Sequence, residues 1–340
     1  MAWVIAAHYR TISLSYYLAI VLSHYLTIVN SYLEPPTMKV LVCDSISLRA
    51  VEKMRKACLE VDVQDKVTPE ELLQVIGAYD AMVVRSRTKV RKQVIDAATN
   101  LKVVVRGGVG VDNIDVDYAQ AKGVRIMNTP GASTHSVAEL TVAYMFALAR
   151  PVVQATASMR EGQWEKSKYE GIELQGKVLG IVGMGRIGLA VAARAAALGM
   201  IVLGYDSRTV GPAPFMQMVE FDELIAKSDF ISLHIPLTES SKHMIDAAMI
   251  AKMKDNVRII DCARGGVIDE EALYDAIRAG KVAGAALDVF ENEPLTDRKL
   301  FDLPQVIGSP HIGASTKEAT ARIGDEVADI LITINQEGCQ

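Results

Sequence analysis

A chain of 340 residues, 50% hydrophobic and 23% charged, has the composition of a soluble globular protein with room for two cores. A net charge of −5 and a pI near 5.8 supply no basic field, which sets nucleic-acid binding aside. Cys43, Cys58, Cys262 and Cys339 are scattered without a CxxC pair, so neither a disulfide framework nor a zinc site is expected. A reducing, cytoplasmic setting and no metal follow as expectations.

Residues 1–37 stand apart. "TISLSYYLAIVLSHYLTIV", Thr11 to Val29, carries no formal charge and is long enough for a membrane span or signal anchor. Serines, threonines, tyrosines and His24 dilute its apolarity, and only Arg10 stands before it. After "EPPT" the chain restarts at Met38 as "MKVLVCDS", which reads like a protein's beginning. Three readings stay open: an artificial or upstream start, an ordered extension, or an anchor.

From Met38 short β-rich runs alternate with helical patterns. Strands are expected at Val40–Cys43, Val61–Val63, Ala81–Val84, Val103–Val105 and Arg125–Met127, separated by stretches such as "RAVEKMRKACLE". That alternation implies a parallel sheet covered on both faces. A long helix follows, "SVAELTVAYMFALAR", with Ser136 and Glu139 spaced as a capping box and Pro151 as its stop.

A second alternating series opens near Val178, with strands in "VLGIVGMG", "MIVLGYD", "FISLHIP", "VRIIDCA", "VAGAALDVF" and "QVIGSPHIG". Within it Gly183-Met-Gly185-Arg-Ile-Gly188 follows a strand and opens an alanine-rich helix. The next strand ends at Asp206. In that context the three glycines form a dinucleotide fingerprint. Gly183 allows the tight turn, Gly185 lets the backbone approach a pyrophosphate, and Gly188 lets helix and strand pack. Asp206 should accept hydrogen bonds from the ribose hydroxyls. A 2′-phosphate there would face like charge about 4 Å away, a repulsion of a few kcal/mol at intermediate dielectric, which favours NAD over NADP. Arg208 could soften that preference, and the plainer alternative is that Asp206 only starts a turn.

Three further groups stand where strands of this series end. Arg264 follows "IIDCA" beside Gly265 and Gly266, Asp288 and Glu293 lie in "LDVFENEP", and His311 follows "VIGSP". Each alone is more often structural or solvated than functional. Ligands of open α/β sheets bind outside the carboxyl ends of strands, so these side chains should share one crevice with the glycine turn. The set suits hydride transfer coupled to proton transfer on a 2-hydroxy acid. His311 exchanges the proton near neutrality. Glu293 orients its other nitrogen. Arg264 offers a bidentate fork to a carboxylate. The chain closes on "STKEATARIGDEVADILITI", a helix with Ser315 and Glu318 as its box. Its apolar Ala319, Ile323, Val327, Ile330, Leu331 and Ile334 suit packing back on the first series.

"RGGVGVDNID", "VGMGRIG", "CARGGVIDEEAL", "GAALDVFENEP" and "SPHIGASTKEA", in this order, resemble the D-2-hydroxyacid dehydrogenases, and "PHIGASTKEA" most resembles their 3-phosphoglycerate dehydrogenase branch. The resemblance runs from Met38 to about Asn335. It implies two doubly wound domains with a cleft between them: a Rossmann-type NAD domain over 136–311, and a flavodoxin-like substrate domain over 38–135 and 312–340. It implies an arginine–glutamate–histidine catalytic set at Arg264, Glu293 and His311. Asp288, the Cys262–Ala263–Arg264 backbone, His311 and Ala314 would then face the nicotinamide, with Arg186, Ile187 and Asp206 on the adenosine side. "VVRSRT" and "VVRGGVG" match segments that touch substrate, so Arg85, Ser86 and Arg106 become candidates. Two arginines at strand ends are what a phosphorylated acid needs, while Arg87 is expected to face solvent.

The implied activity is oxidation of 3-phospho-D-glycerate to 3-phosphohydroxypyruvate with NAD, the first step of serine biosynthesis. The rivals are a glyoxylate or hydroxypyruvate reductase on the same scaffold and a non-catalytic NAD-sensing binding protein. The resemblance, with the apolar helix over Val137–Ala149, also implies a homodimer. Long members of the family continue into regulatory domains beyond the terminal helix, so serine feedback through such a domain is not expected here.

Overall fold

The computed structural model describes Leu22 and residues 37–337, save 209, 210 and 212. The expectations for the amino-terminal extension and for Cys339 lie outside those residues. Among the described residues no single helix is long and apolar enough to cross a membrane.

The first series folds as β1 (Lys39–Val42), α1 (Leu48–Lys56), β2 (Glu60–Val63), α2 (Pro69–Val75), β3 (Ala81–Val84), α3 (Lys92–Ala97), β4 (Val103–Arg106), α4 (Val116–Ala121) and β5 (Arg125–Asn128). Its strands are parallel in the order β2-β1-β3-β4-β5, the flavodoxin-like arrangement. Period-two alternation sends Val40, Val83 and Val105 to one face and Leu41, Met82 and Val104 to the other, and helices cover both.

Next come α5 (Thr134–Ala149) and α6 (Val152–Arg160). The second series then runs β6 (Val178–Val182), α7 (Arg186–Ala197), β7 (Ile201–Tyr205), β8 (Gln217–Met218), α8 (Phe221–Lys227), β9 (Phe230–Leu233), α9 (Ala247–Lys252), β10 (Val257–Asp261), α10 (Glu270–Arg278), β11 (Val282–Leu287) and β12 (Val306–Gly308). This sheet is also parallel, in the order β12-β11-β10-β9-β6-β7-β8. Its order reverses at β6, whose carboxyl end leads into the glycine turn.

The last helix, α11 (Lys317–Glu337), returns to the first sheet. Ile323, Val327 and Leu331 enter one core with Val40, Val83 and Val105, and burying each such side chain contributes about 1.5–3 kcal/mol. Ile330 is only half-buried at the edge of that core.

Both expected capping boxes are corrected. Helix α5 begins two residues before Ser136, and the buried Ser136 hydroxyl donates to the Gly313 carbonyl at 2.6 Å. At α11 the Ala319 amide donates to Thr316 Oγ1 at 3.1 Å, one residue beyond Ser315. In each case the box spacing matched, but Ser136 is taken by a tertiary partner and Thr316 caps α11 in place of Ser315. Pro151 does end α5, yet it also leads directly into α6, which the sequence pattern did not distinguish from a loop.

Candidate active site

The nucleotide end of the cleft is made of backbone. Gly183 has φ of 98°, and a Cβ there would meet the His234 carbonyl oxygen at 2.5 Å. A Cβ on Gly188 would lie 2.0 Å from the Gly183 oxygen, so only glycine lets α7 start against β6. A Cβ on Gly185 would meet nothing within 4 Å, leaving the approach to the α7 amino terminus open. There unpaired amides and the positive end of the helix dipole favour a phosphate. Arg186 is exposed and Ile187 half-buried at this terminus. Asp206, at the end of β7, accepts from the Met184 amide at 2.9 Å and so closes the turn. It also accepts from the Arg208 amide at 2.9 Å and from Arg208 Nε at 3.1 Å. Burial alone would raise the Asp206 carboxyl, but these bonds and the Arg208 charge hold it below the usual carboxylate range. The Arg208 side chain is 79% exposed, free to swing away from a ribose.

The other end, around His311, is made of side chains. His311 Nδ1 lies 2.8 Å from Glu293 Oε2, and the Phe290 amide donates to Glu293 Oε1 at 3.2 Å. Burial pushes the Glu293 carboxyl up. The His311 hydrogen bond and charge, the Phe290 amide and the Arg264 charge outweigh it, and the net direction is down. An ionised Glu293 only accepts, so Nδ1 carries the hydrogen and Nε2 is left with its lone pair. His311, Glu293 and Ser86 line one cavity of about 670 Å³, with Phe290, Leu295 and Phe301 as its apolar wall.

Arg264 reaches across the cleft. Its Nε donates to Asp112 Oδ2 at 2.7 Å, and its guanidinium lies so close to Gly110 that a Cβ there would sit 1.4 Å from Nη2. Arg106 is in the same electrostatic neighbourhood. Burial pushes its guanidinium down to about 10, and the charges of Arg264 and Arg85 act in the same direction. Among the described residues its Nε is buried without a hydrogen-bond partner. Asp112 and Asp44 oppose that shift without cancelling it, so the buried Arg106 is a group that an anion would relieve. Arg87 is exposed, as expected, and is also tied to the carbonyls of Cys43, Val67 and Asp65 and to Asp44, where the loops after β1, β2 and β3 converge. No group of three His, Cys, Asp or Glu able to hold a metal occurs among the described residues.

Comparison with known proteins closes this description. Residues 142–313 match the D-isomer specific 2-hydroxyacid dehydrogenase, NAD binding domain. The chain is 49% identical to a hydroxypyruvate reductase of Thermotoga maritima, over 86% of this chain and 96% of that protein. The chain belongs to the D-isomer specific 2-hydroxyacid dehydrogenases. It is 47% identical to a D-3-phosphoglycerate dehydrogenase of Archaeoglobus fulgidus over 87% of this chain, and that match spans only 57% of the longer relative. A glyoxylate reductase structure from Paecilomyes thermophila aligns with a TM-score of 0.82 at 34% identity, covering 89% of this chain and 97% of that one.

In this dehydrogenase the glycine turn and the Asp206 strand end fit NAD, since the open approach at Gly185 and the buried, acceptor-rich Asp206 are what its pyrophosphate and ribose require. Sequence reading placed the strand-end residues but missed their supports. Asp112, from the loop after β4, holds Arg264. Asp261, 2% exposed at the end of β10, accepts from the Ala263 amide at 2.7 Å, and burial pushes its carboxyl up to about 7. Asp288, 1% exposed, spends its carboxylate on the Ile312 amide at 2.8 Å and the Gly313 amide at 2.7 Å. Beside it Cys262 is buried, its thiol pushed upward chiefly by desolvation, while Ala263 and Ala314 are half-buried. No local signal marks Asp112 and Asp288 as partners, because their bonds join segments 24 to 152 residues apart in the chain.

Proposed function

We propose that the chain oxidises 3-phospho-D-glycerate to 3-phosphohydroxypyruvate with NAD, using residues 136–311 as the nucleotide domain and 38–135 with 312–340 as the substrate domain. The observation that carries this reading is the gathering of Arg85, Arg106 and Arg264 opposite the His311–Glu293 pair, a cation excess suited to a substrate with two anionic ends.

His311 Nε2 takes the hydroxyl proton while the hydrogen on C2 leaves as hydride. The hydroxyl carbon becomes a carbonyl, and the proton stays on the imidazole until solvent removes it. Bound NAD supplies the nicotinamide that accepts the hydride. Glu293 keeps Nδ1 protonated and stabilises the imidazolium. Arg264 holds the carboxylate and the 2-oxygen once its fork turns from Asp112, and Arg106 neutralises the adjoining charge. Arg85, with Ser86 beside it, reaches the phosphate.

A second reading, hydroxypyruvate reduction at the same site, is favoured by the Thermotoga relative, which this chain matches over nearly its full length. Turnover of NADH with phosphohydroxypyruvate, hydroxypyruvate and glyoxylate separates the two. Phosphohydroxypyruvate is expected to give the highest kcat/KM, and preference for an unphosphorylated acid would favour the second reading. Arg85→Ala should cost a charge-assisted contact of about 1.5–3 kcal/mol, roughly ten- to a hundred-fold in kcat/KM, on phosphohydroxypyruvate and little on hydroxypyruvate. Equal losses on both substrates would make Arg85 structural.

The same proposal takes the protein as a homodimer in a reducing, cytoplasmic compartment. Phe146, Val152, Val153, Met159 and Trp164 are exposed along α5, α6 and the following loop, an apolar stretch suited to a second copy. Sedimentation of the protein checks it.

A further inference from the structure

His311 has φ of 52°, a left-handed conformation that a histidine keeps only where its surroundings enforce it. The enforcement comes from both sides. After it, the amides of Ile312 and Gly313 donate to the two oxygens of Asp288 at 2.8 and 2.7 Å, and the Gly313 carbonyl accepts from Ser136. Before it, Ser309 Oγ donates to Asp288 Oδ1 at 2.5 Å, and the same Oγ lies 2.5 Å from the Tyr144 hydroxyl on α5. Ser309 gives its only hydroxyl hydrogen to Asp288, so Tyr144 must donate to Ser309. One buried carboxylate therefore clamps three groups of the His311 loop, and a tyrosine from the long helix orients one of them.

We propose that Tyr144 and Ser309 are positioning residues for the reaction: the tyrosine hydroxyl orients the serine hydroxyl onto Asp288, and the loaded Asp288 holds the His311 loop in the conformation that meets Glu293. This rests on reading His311 as the acid–base group. Tyr144 is buried against the core that includes Val137 and Met145, so phenylalanine fills its place and removes only the donor. Burial also pushes the Tyr144 hydroxyl up to about 12, so it keeps its hydrogen at every working pH. The groups that face Asp288 electrostatically are Asp261 and Cys262 at the end of β10 and Tyr144 on α5. Hydrogen bonds from Ser309 Oγ and the Ile312 and Gly313 amides engage both oxygens of Asp288.

The test uses the full chain with NAD and the preferred substrate. Ser309→Ala is expected to lower kcat roughly ten- to a hundred-fold, the cost of an ångström-scale misplacement, with the KM for NAD unchanged. Ser309→Thr, which keeps the hydroxyl, should restore kcat, and Tyr144→Phe should lower it by less. Turnover of Ser309→Ala and Tyr144→Phe within two-fold of wild type, alongside an inactive His311→Ala, would overturn the positioning role alone. An active His311→Ala would overturn the acid–base reading and this inference with it. If Ser309→Ala does not fold, Tyr144→Phe against wild type decides.

Discussion

The two ends of the cleft are built from different materials. At the nucleotide end Gly183 and Gly188 admit no side chain, since a Cβ on either meets backbone at 2.0–2.5 Å, while Gly185 leaves the approach open. At the His311 end the histidine depends on a relay of side chains drawn from α5 and the loops beyond β11 and β12. Clearance is a local property, readable wherever glycines recur at the right spacing after a strand. A relay exists only once the strand ends lie side by side, as β10, β11 and β12 do here. The first end should therefore fail by steric collapse and the second by loss of aim.

The sharpest break is His311→Ala. Turnover should fall by roughly 10²–10⁴-fold while NAD titrates as in wild type, since the acid–base group is removed and the glycine turn is untouched. Steady-state kinetics with a fluorescence titration of the cofactor reads both, and turnover within a few-fold of wild type would dissolve the contrast.

Gly188→Ala should do the reverse. Its new Cβ meets backbone, not a flexible side chain, so packing costs about 1–3 kcal/mol and NAD affinity falls with stability. Thermal melts with and without NAD measure this, and an unchanged melting temperature would show that α7 can shift to absorb the methyl.

Asp206→Ala tests whether the nucleotide end is backbone alone. The change removes the ribose acceptor and the partner of the Met184 amide, a loss of about 1–3 kcal/mol for the bound cofactor. Affinity for NAD should drop and its advantage over NADP narrow. A wild-type protein that already prefers NADP would assign the choice to Arg208.

The smallest effect is expected at Asp261. Its folded pKa is raised from 3.8 to about 7 by burial, so the folded state binds a proton more tightly than the unfolded state. Its contribution to stability is full below about pH 4 and is lost as pH rises toward 7. Asp261→Asn mimics the protonated acid and keeps an acceptor for the Ala263 amide. Relative to wild type, the variant should gain melting temperature between pH 5 and pH 8. A difference that stays flat with pH would mean that Asp261 is already ionised at pH 5.

Much of this protein was legible before any coordinates. Period-two apolar runs such as "KVLV" and "VRIID" encode strands because alternate side chains must leave a pleated backbone on opposite faces. A glycine triplet after one of them encodes a turn because a Cβ at Gly183 or Gly188 collides with backbone. Arg264, Glu293 and His311 could be placed at strand ends for the same reason: position along the chain is local information. What the tertiary structure alone decided is which partner each polar group takes. Arg264 meets Asp112 from the other sheet, Tyr144 meets Ser309 across 165 residues of chain, and Ser136 leaves its expected cap for the Gly313 carbonyl. A hydrogen bond depends on a few tenths of an ångström between groups whose separation along the chain carries no signal, so those partners appear only when the sheets have assembled.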